Sequence, residues 1–288
     1  MMKEIILVTG ATGTVGQEVV KSLLNKNVKI RVGVRDIDKI KNTPWFNQVE
    51  SIILDYEKPE TIKNALKGVS KLFLVTAPGT YQEENVAKSI LAQAKGQELK
   101  HIVRLSGMGA DKHNLFANHN AADNLLLSSS INYTALQPNT YMQNFYNYST
   151  SIKAQQKIIE PAAGSKESFI DVRDIAAVAA TVLTQSGHEN KIYELTGGES
   201  LNYYQVAKQF SEVLKKEIVY QPLTEQEYIS AKEAEGMPSE FVKRFVAFFQ
   251  MVRNGEYAHV LPSVEKILGK PPITLKQFIM DYRDKFVS

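Results

Sequence analysis

Gly10, Gly13 and Gly16 fall at intervals of three directly behind a short unbroken apolar run, Ile5, Ile6, Leu7 and Val8. A run of that kind reads as a strand buried on both faces. Behind the glycines a helical pattern begins, with Val19, Val20, Leu23 and Leu24 on one side. Strand, glycine turn and helix is the order in which backbone N–H groups and a helix's positive end catch a phosphate. Gly10 permits the tight turn, Gly13 lets the backbone approach a pyrophosphate, and Gly16 lets the helix lie close to the strand. The spacing is GxxGxxG rather than GxGxxG. The candidate pyrophosphate loop is therefore Gly10, Ala11, Thr12, Gly13, Thr14, Val15 and Gly16. Ordinary strand-to-helix turns also need glycine, which leaves a purely structural role open for the triplet taken alone.

The next segment narrows the choice. Residues 29–34 read as a second strand and lead into Arg35 and Asp36, where a dinucleotide's adenosine ribose would lie. An acidic residue there bonds a ribose hydroxyl, whereas an arginine suits a ribose phosphate. Arg35, with Lys39 and Lys41 close behind, selects NADP(H) over NAD(H), while Asp36 keeps the NAD reading open.

Strand and helix patterns then alternate through the first half, with further strands at residues 49–54, 71–75, 101–105 and 132–136. This predicts an α/β fold of the Rossmann type, a doubly wound parallel sheet whose ligands bind at the carboxyl ends of the strands. Asp55, Thr76, Ala77, Pro78, Ser106, Gly107, Pro138, Asn139 and Thr140 follow such strands and are candidate cofactor contacts. The expected organisation is an NAD(P)-binding domain over residues 1–150 and a smaller, mostly helical lobe over 151–288. Residues from about 168 to 196 are expected to return to the first domain. A strand pair is expected at residues 158–159 and 168–171, and a helix over 141–148.

Composition removes several function classes. The chain has 288 residues and no cysteine, which excludes disulfides, a thiolate nucleophile and thiolate metal sites. A net charge of +3 spread along the chain forms no basic tract, so neither nucleic acid nor an anionic membrane surface is an expected partner. The five histidines do not cluster with carboxylates at ligand spacing, so no metal is expected. No apolar run is long enough to cross a bilayer, and the first strand begins too early for a signal peptide. The expectation is a soluble cytoplasmic protein.

Val8 to Gly16, the Val34–Arg35 step, and Leu54, Asp55 and Tyr56 together resemble the NmrA-like branch of the atypical short-chain dehydrogenases. That branch contains NADPH-dependent quinone reductases, triphenylmethane and azo dye reductases, and non-enzymatic NADP sensors. The resemblance implies that Asp55 accepts a hydrogen bond from an adenine amino group, although a helix-start role toward Pro59 fits as well. Typical short-chain dehydrogenases use a Tyr-x-x-x-Lys pair, in which lysine lowers the tyrosine pKa. The corresponding positions here hold Leu115 and His119, with Asp123 one turn on. Reduction of a simple carbonyl by a tyrosine acid is therefore not expected.

A quinone or a cationic dye accepts hydride without such an acid, because the charge spreads over a conjugated system. For that chemistry a protein supplies cofactor, apolar slot and distance. Met108, Phe116, Tyr141, Met142 and Phe145 are the candidate acceptor contacts. His119 is a candidate for the nicotinamide ribose or for proton donation, or is a polar residue paired with Asp123. In the loop after the sixth strand, Gln137 and Asn139 replace the arginine and glycine usual in the branch. The leading expectation is an NADPH-dependent reductase of a quinone, azo or triarylmethane acceptor. Its rival is an NADP(H) sensor that acts through a protein partner without turnover. Oligomeric state is left open.

Overall fold

The computed structural model describes residues 3–76 and 82–287. The chain opens with β1 (Ile5–Thr9), α1 (Thr14–Leu24), β2 (Lys29–Val34), β3 (Glu50–Ile53), α2 (Pro59–Ala65) and β4 (Val69–Leu74). It continues with α3 (Glu83–Ala94), β5 (His101–Leu105), α4 (Ala117–Leu127) and β6 (Asn132–Pro138). After α5 (Ser149–Gln155), β7 (Lys157–Glu160) and β8 (Lys166–Glu167) come α6 (Val172–Thr184) and β9 (Lys191–Leu195). The remainder is β10 (Leu201–Asn202), α7 (Tyr203–Leu214), β11 (Val219–Pro222), α8 (Glu225–Ala234), α9 (Ser239–Arg253), α10 (Ser263–Leu268) and α11 (Leu275–Asp281). Two compact units result: Met1–Pro138 with Val172–Glu194, and Asn139–Asp171 with Leu195–Ser288.

The first unit is built on a seven-stranded sheet in the order β3-β2-β1-β4-β5-β6-β9. The paired strands from β3 to β6 all run parallel. Ile6, Leu7 and Val8 are fully buried, as their unbroken apolar run requires of a central strand. Helix α1 packs on α6, and α6 also meets β4, β5 and β6. A second core joins β1, β4, β5 and β6 to α2, α3 and α4 through Leu7, Ile62, Leu72, Ile90, Ile102 and Leu126. Strand order reverses between β1 and β4, the place where an open α/β sheet leaves a crevice beyond its strand ends. This is the Rossmann-type arrangement that the alternation of patterns predicted.

The second unit holds short strands, helices and an aromatic core. The expected strand pair at residues 158–159 and 168–171 does not form, because 168–171 is not a strand and the nearest strand, β8, ends at Glu167. β7 pairs in parallel with β11, β8 pairs antiparallel with β10, and Ile170 makes only a bridge to Tyr141. Short buried runs carry a burial signal but no register against a particular partner. Residues 142–148 wind as a 3-10 helix rather than an α-helix. Their asparagines and aromatics are modest helix formers, and tertiary packing of Phe145 and Tyr146 sets the winding. The Thr224 and Glu227 capping box forms at the start of α8 as the sequence indicates, and Asn202 with Gln205 makes another before α7.

Two carboxyls are buried in this unit. Tyr148 donates to Glu160 Oε1 and Thr140 donates to Glu167 Oε2, each at 2.6 Å. Glu160 Oε2 and Glu167 Oε1 have no hydrogen-bond partner among the described residues. Burial pushes both carboxyls from 4.5 up to about 7. A carboxyl raised in the fold favours folding while protonated, fully so below 4.5, and that contribution is lost as pH rises through about 7. The loss is on the order of 3 kcal/mol per carboxyl. Urea unfolding will show lower stability at pH 8.5 than at pH 5.5, and Glu160→Gln with Glu167→Gln will remove most of that difference. Equal pH dependence in the wild type and the double variant would show that the two carboxyls ionise freely in the fold.

Candidate functional site

Strand β1 ends at Thr9, whose hydroxyl donates to Phe73 O at 3.1 Å and accepts the Val75 N–H at 2.9 Å. This fixes the strand end against β4. Gly10 turns the chain at φ +65°, where a Cβ would also lie 2.9 Å from Val75 Cβ. The Gly13 N–H donates back to Gly10 O at 2.9 Å, which closes the turn. At Gly16 a Cβ would stand 2.2 Å from Gly10 O, so only glycine lets the first turn of α1 press on the strand end. Gly13 is the N-cap and offers no side chain to the first-turn N–H groups, and no acidic residue sits in that turn. Ala11 and Val15 are buried by packing, whereas Thr12, Gly13 and Thr14 are exposed. The helix's positive end thus opens to solvent through uncapped backbone donors, a cradle that fits a pyrophosphate.

At the end of β2, Arg35 is exposed. The neighbouring Asp36 carboxylate accepts the Asp38 N–H at 2.9 Å and caps the short 3-10 turn that follows. Asp38 in turn pairs with Lys41 at 2.5 Å. Asp55 uses Oδ1 to accept the Glu57 N–H at 3.1 Å, closing the turn ahead of Pro59. The structure therefore gives Asp55 the local turn role that competed with adenine binding. Ala77 and Pro78 lie outside the described residues.

The densest polar cluster centres on a residue that the motif reading did not single out. Arg104, on β5, is 1% exposed. Its guanidinium pairs with Glu83 at the start of α3 and with Asp123 on α4. Asp123 also accepts from Ser106 at 2.6 Å and from Tyr133 at 2.5 Å. Glu83 accepts from Thr76 at 2.9 Å and meets His119 Nδ1 at 2.7 Å. Thr76, Ser106 and His119, expected as separate contacts along the cofactor, are thus joined into one network. Burial pushes the Glu83 carboxyl up, but the His119 hydrogen bond and the Arg104 charge outweigh it and hold it below the usual carboxylate range. A charge inside the otherwise apolar run 102–105 was the available signal, because a buried arginine needs paired carboxylates.

Gly107 follows β5 and faces His119, whose ring carbon Cδ2 lies 3.8 Å from where a Cβ would be. Met108 donates its N–H to Pro138 O at 3.2 Å, and Phe116 stands 6.0 Å from the His119 ring centroid. Both side chains are half-buried. The remaining candidates belong to the second unit. Asn139 is buried and engaged, donating to Ser168 Oγ at 2.7 Å and Tyr257 O at 2.9 Å. Tyr141 is half-buried, whereas Met142 is 3% exposed. Phe145 packs among Phe169, Tyr203, Phe210 and Phe278, which gives it a core role rather than an open surface. No group of three or more metal-ligating side chains occurs among the described residues.

Comparison with known proteins places this geometry. The model of a family described as NAD(P)H-binding matches residues 10–186. The chain belongs to the NAD(P)H-binding family. Within it, the similarity is to the NmrA-like branch. The NAD(P)H azoreductase of Xenophilus azovorans is 31% identical, over 95% of this chain and 96% of that protein. The NADPH-dependent quinone oxidoreductase of Escherichia coli, solved with NADPH, superposes with a TM-score of 0.86 at 27% identity, covering 96% of this chain and 99% of that one. The triphenylmethane reductase of Citrobacter sp., solved with NADP(H), gives 0.85 at 27% identity over the same shares. The family match begins at Gly10, the first glycine of the turn. No described helix is long and apolar enough to cross a membrane.

Removing one carboxylate from Arg104 leaves a buried charge half-paired. Asp123→Ala should cost about 3–5 kcal/mol of stability, the scale for breaking a buried ion pair. A denaturant midpoint shifted by less than a third of that would show that Arg104 is solvated or repaired by Glu83 alone.

Proposed function

We propose that this chain is an NADP(H)-dependent reductase that passes hydride directly to a conjugated acceptor, a quinone, an azo compound or a triarylmethane dye. One observation carries the reading: an uncapped glycine cradle stands beside a site that has Leu115 and a carboxylate-bound His119 where a tyrosine and lysine are usual. Such a site can hold a dinucleotide but lacks the tyrosine and lysine pair of typical short-chain dehydrogenases, so acceptors that delocalise charge suit it. The azoreductase, quinone oxidoreductase and triphenylmethane reductase relatives support the same class.

In this reading the backbone of Gly10, Ala11, Thr12, Gly13, Thr14, Val15 and Gly16 holds the pyrophosphate. Ser106, Gly107, His119 and Pro138 of the first unit border the nicotinamide half, mostly through backbone groups; Asn139 and Thr140 are the second unit's proposed cofactor contacts. On the first unit Met108 and Phe116 are the proposed acceptor contacts, and on the second Tyr141 and Met142, with Phe145 in that unit's aromatic core. The bound cofactor supplies the hydride. What the protein contributes is orientation, exclusion of water and a fixed distance. Arg35 reads the ribose phosphate. Asp36, the residue that would favour NAD(H), has its carboxylate turned to the Asp38 N–H, which supports a preference for NADP(H).

Arg35→Ala is expected to weaken NADPH binding by about 1–3 kcal/mol and to leave NADH binding nearly unchanged, as calorimetry would register. Equal weakening of both removes Arg35 as the phosphate reader. The function itself is tested by following NADPH and NADH oxidation against quinones, azo dyes and cationic triarylmethane dyes. Acceptor-dependent turnover supports a reductase. Tight NADPH binding without turnover across the panel points to a sensor that works through a protein partner.

A further inference from the structure

The cluster around Arg104 has an unbalanced charge. One guanidinium is paired with two carboxylates, Glu83 and Asp123, so the buried set carries one net negative charge until a proton joins it. The titratable ring in contact with the set is His119, whose Nδ1 lies 2.7 Å from Glu83 Oε2. That contact makes Nδ1–H the donor to the carboxylate and turns Nε2 to the other edge of the ring, beside Gly107 on the loop after β5. The side chain is 30% exposed, so it exchanges protons with water. Other members of the cluster are committed elsewhere. The Ser106 and Tyr133 hydroxyls are both donated to Asp123, and the Thr76 hydroxyl to Glu83.

We propose that His119 is the proton donor for acceptors that become anions when they take a hydride, with Glu83 and Arg104 as its positioning residues. This inference rests on the reductase reading. It selects among the acceptors named there. A quinone that accepts a hydride becomes a hydroquinone monoanion, and an azo bond becomes a nitrogen anion; each needs one proton to finish. A cationic triarylmethane dye that accepts a hydride is already a neutral leuco dye and needs none. In the proton step the His119 Nε2–H bond breaks and an O–H or N–H bond forms on the product. The imidazole then recovers a proton from water. Over one cycle a reduced cofactor, an acceptor and a proton become oxidised cofactor and reduced acceptor.

The charged and titratable groups that act on His119 come from each element packed on it. Glu83 on α3 lies 2.7 Å from Nδ1, and Arg104 on β5 places Nη2 at 3.2 Å from the same nitrogen. Asp123 on α4 and Tyr133 on β6 bear on the ring through Arg104. Removing Glu83 therefore leaves the Arg104 charge unopposed at the ring.

The test measures kcat/KM with NADPH for a quinone, a neutral azo dye and a cationic triarylmethane dye between pH 6 and 9, with NADPH affinity from calorimetry. In His119→Gln the quinone and azo values should fall ten- to hundredfold relative to the cationic dye, the range of general-acid contributions. In Glu83→Gln, which removes the carboxylate that orients the ring, the quinone and azo values should likewise fall relative to the cationic dye. Parallel losses on all three acceptors in His119→Gln, or quinone and azo values in Glu83→Gln that keep their wild-type ratio to the cationic dye, overturn the proposal. A wild type that reduces cationic dyes but neither quinones nor azo dyes overturns it while leaving the reductase reading intact. A wild type that reduces none of them removes the reductase reading as well.

Discussion

The first unit depends on how it treats one buried charge. Arg104 lies near the carboxyl end of β5, inside a sheet whose other strand residues are mostly apolar, where an unpaired guanidinium would cost several kcal/mol. Its guanidinium reaches carboxylates on two different helices, Glu83 on α3 and Asp123 on α4. Both helices are thereby tied to one strand, and α3 and α4 also pack on each other. Apolar packing tolerates small slips of a helix along a sheet, whereas paired hydrogen-bonded charges do not. The pairing therefore sets position as much as stability.

Two strands away in sheet order, a steric constraint does the same for the phosphate cradle. Gly16 allows α1 to approach the Gly10 carbonyl more closely than any side chain would permit, and Gly13 caps that helix without a side chain. One face of the site is thus built from backbone donors and another from a buried ion cluster. The two suit different tasks. Backbone N–H groups suit a pyrophosphate because they carry partial charge without titrating. The ion cluster leaves one carboxylate charge uncancelled beside the His119 ring.

The buried glutamates of the two units shift in opposite directions for one reason. Glu83 has a guanidinium and an imidazole against it and stays ionised despite burial. Glu160 and Glu167 have hydroxyl donors from Tyr148 and Thr140, which do not offset the loss of water, and both rise to about 7. The nature of the partner, more than depth in the protein, decides whether a buried acid keeps its charge. The first unit therefore gains from an ionised Glu83 over the neutral range, while the second is best packed when Glu160 and Glu167 are protonated.

The features legible in the sequence were those set by covalent geometry and short-range periodicity. A glycine triplet behind an apolar run, strand and helix patterns in alternation, and the Thr224 capping box are local properties, and each stands in the fold where its spacing put it. Tertiary structure alone decided which carboxylates neutralise Arg104. Glu83 and Asp123 are 21 and 19 residues away along the chain, and no local pattern encodes a meeting between side chains of separate elements. It also decided that β7 and β8 take separate partners, and that Phe145 is core rather than pocket wall. Apolar and aromatic side chains declare that they will be buried, but not against what. Asp36 and Asp55 make the same point at the site, since their carboxylates turned to backbone N–H groups two residues ahead. An acidic side chain near a turn satisfies the nearest unpaired donor first, and only the folded backbone shows which donor that is.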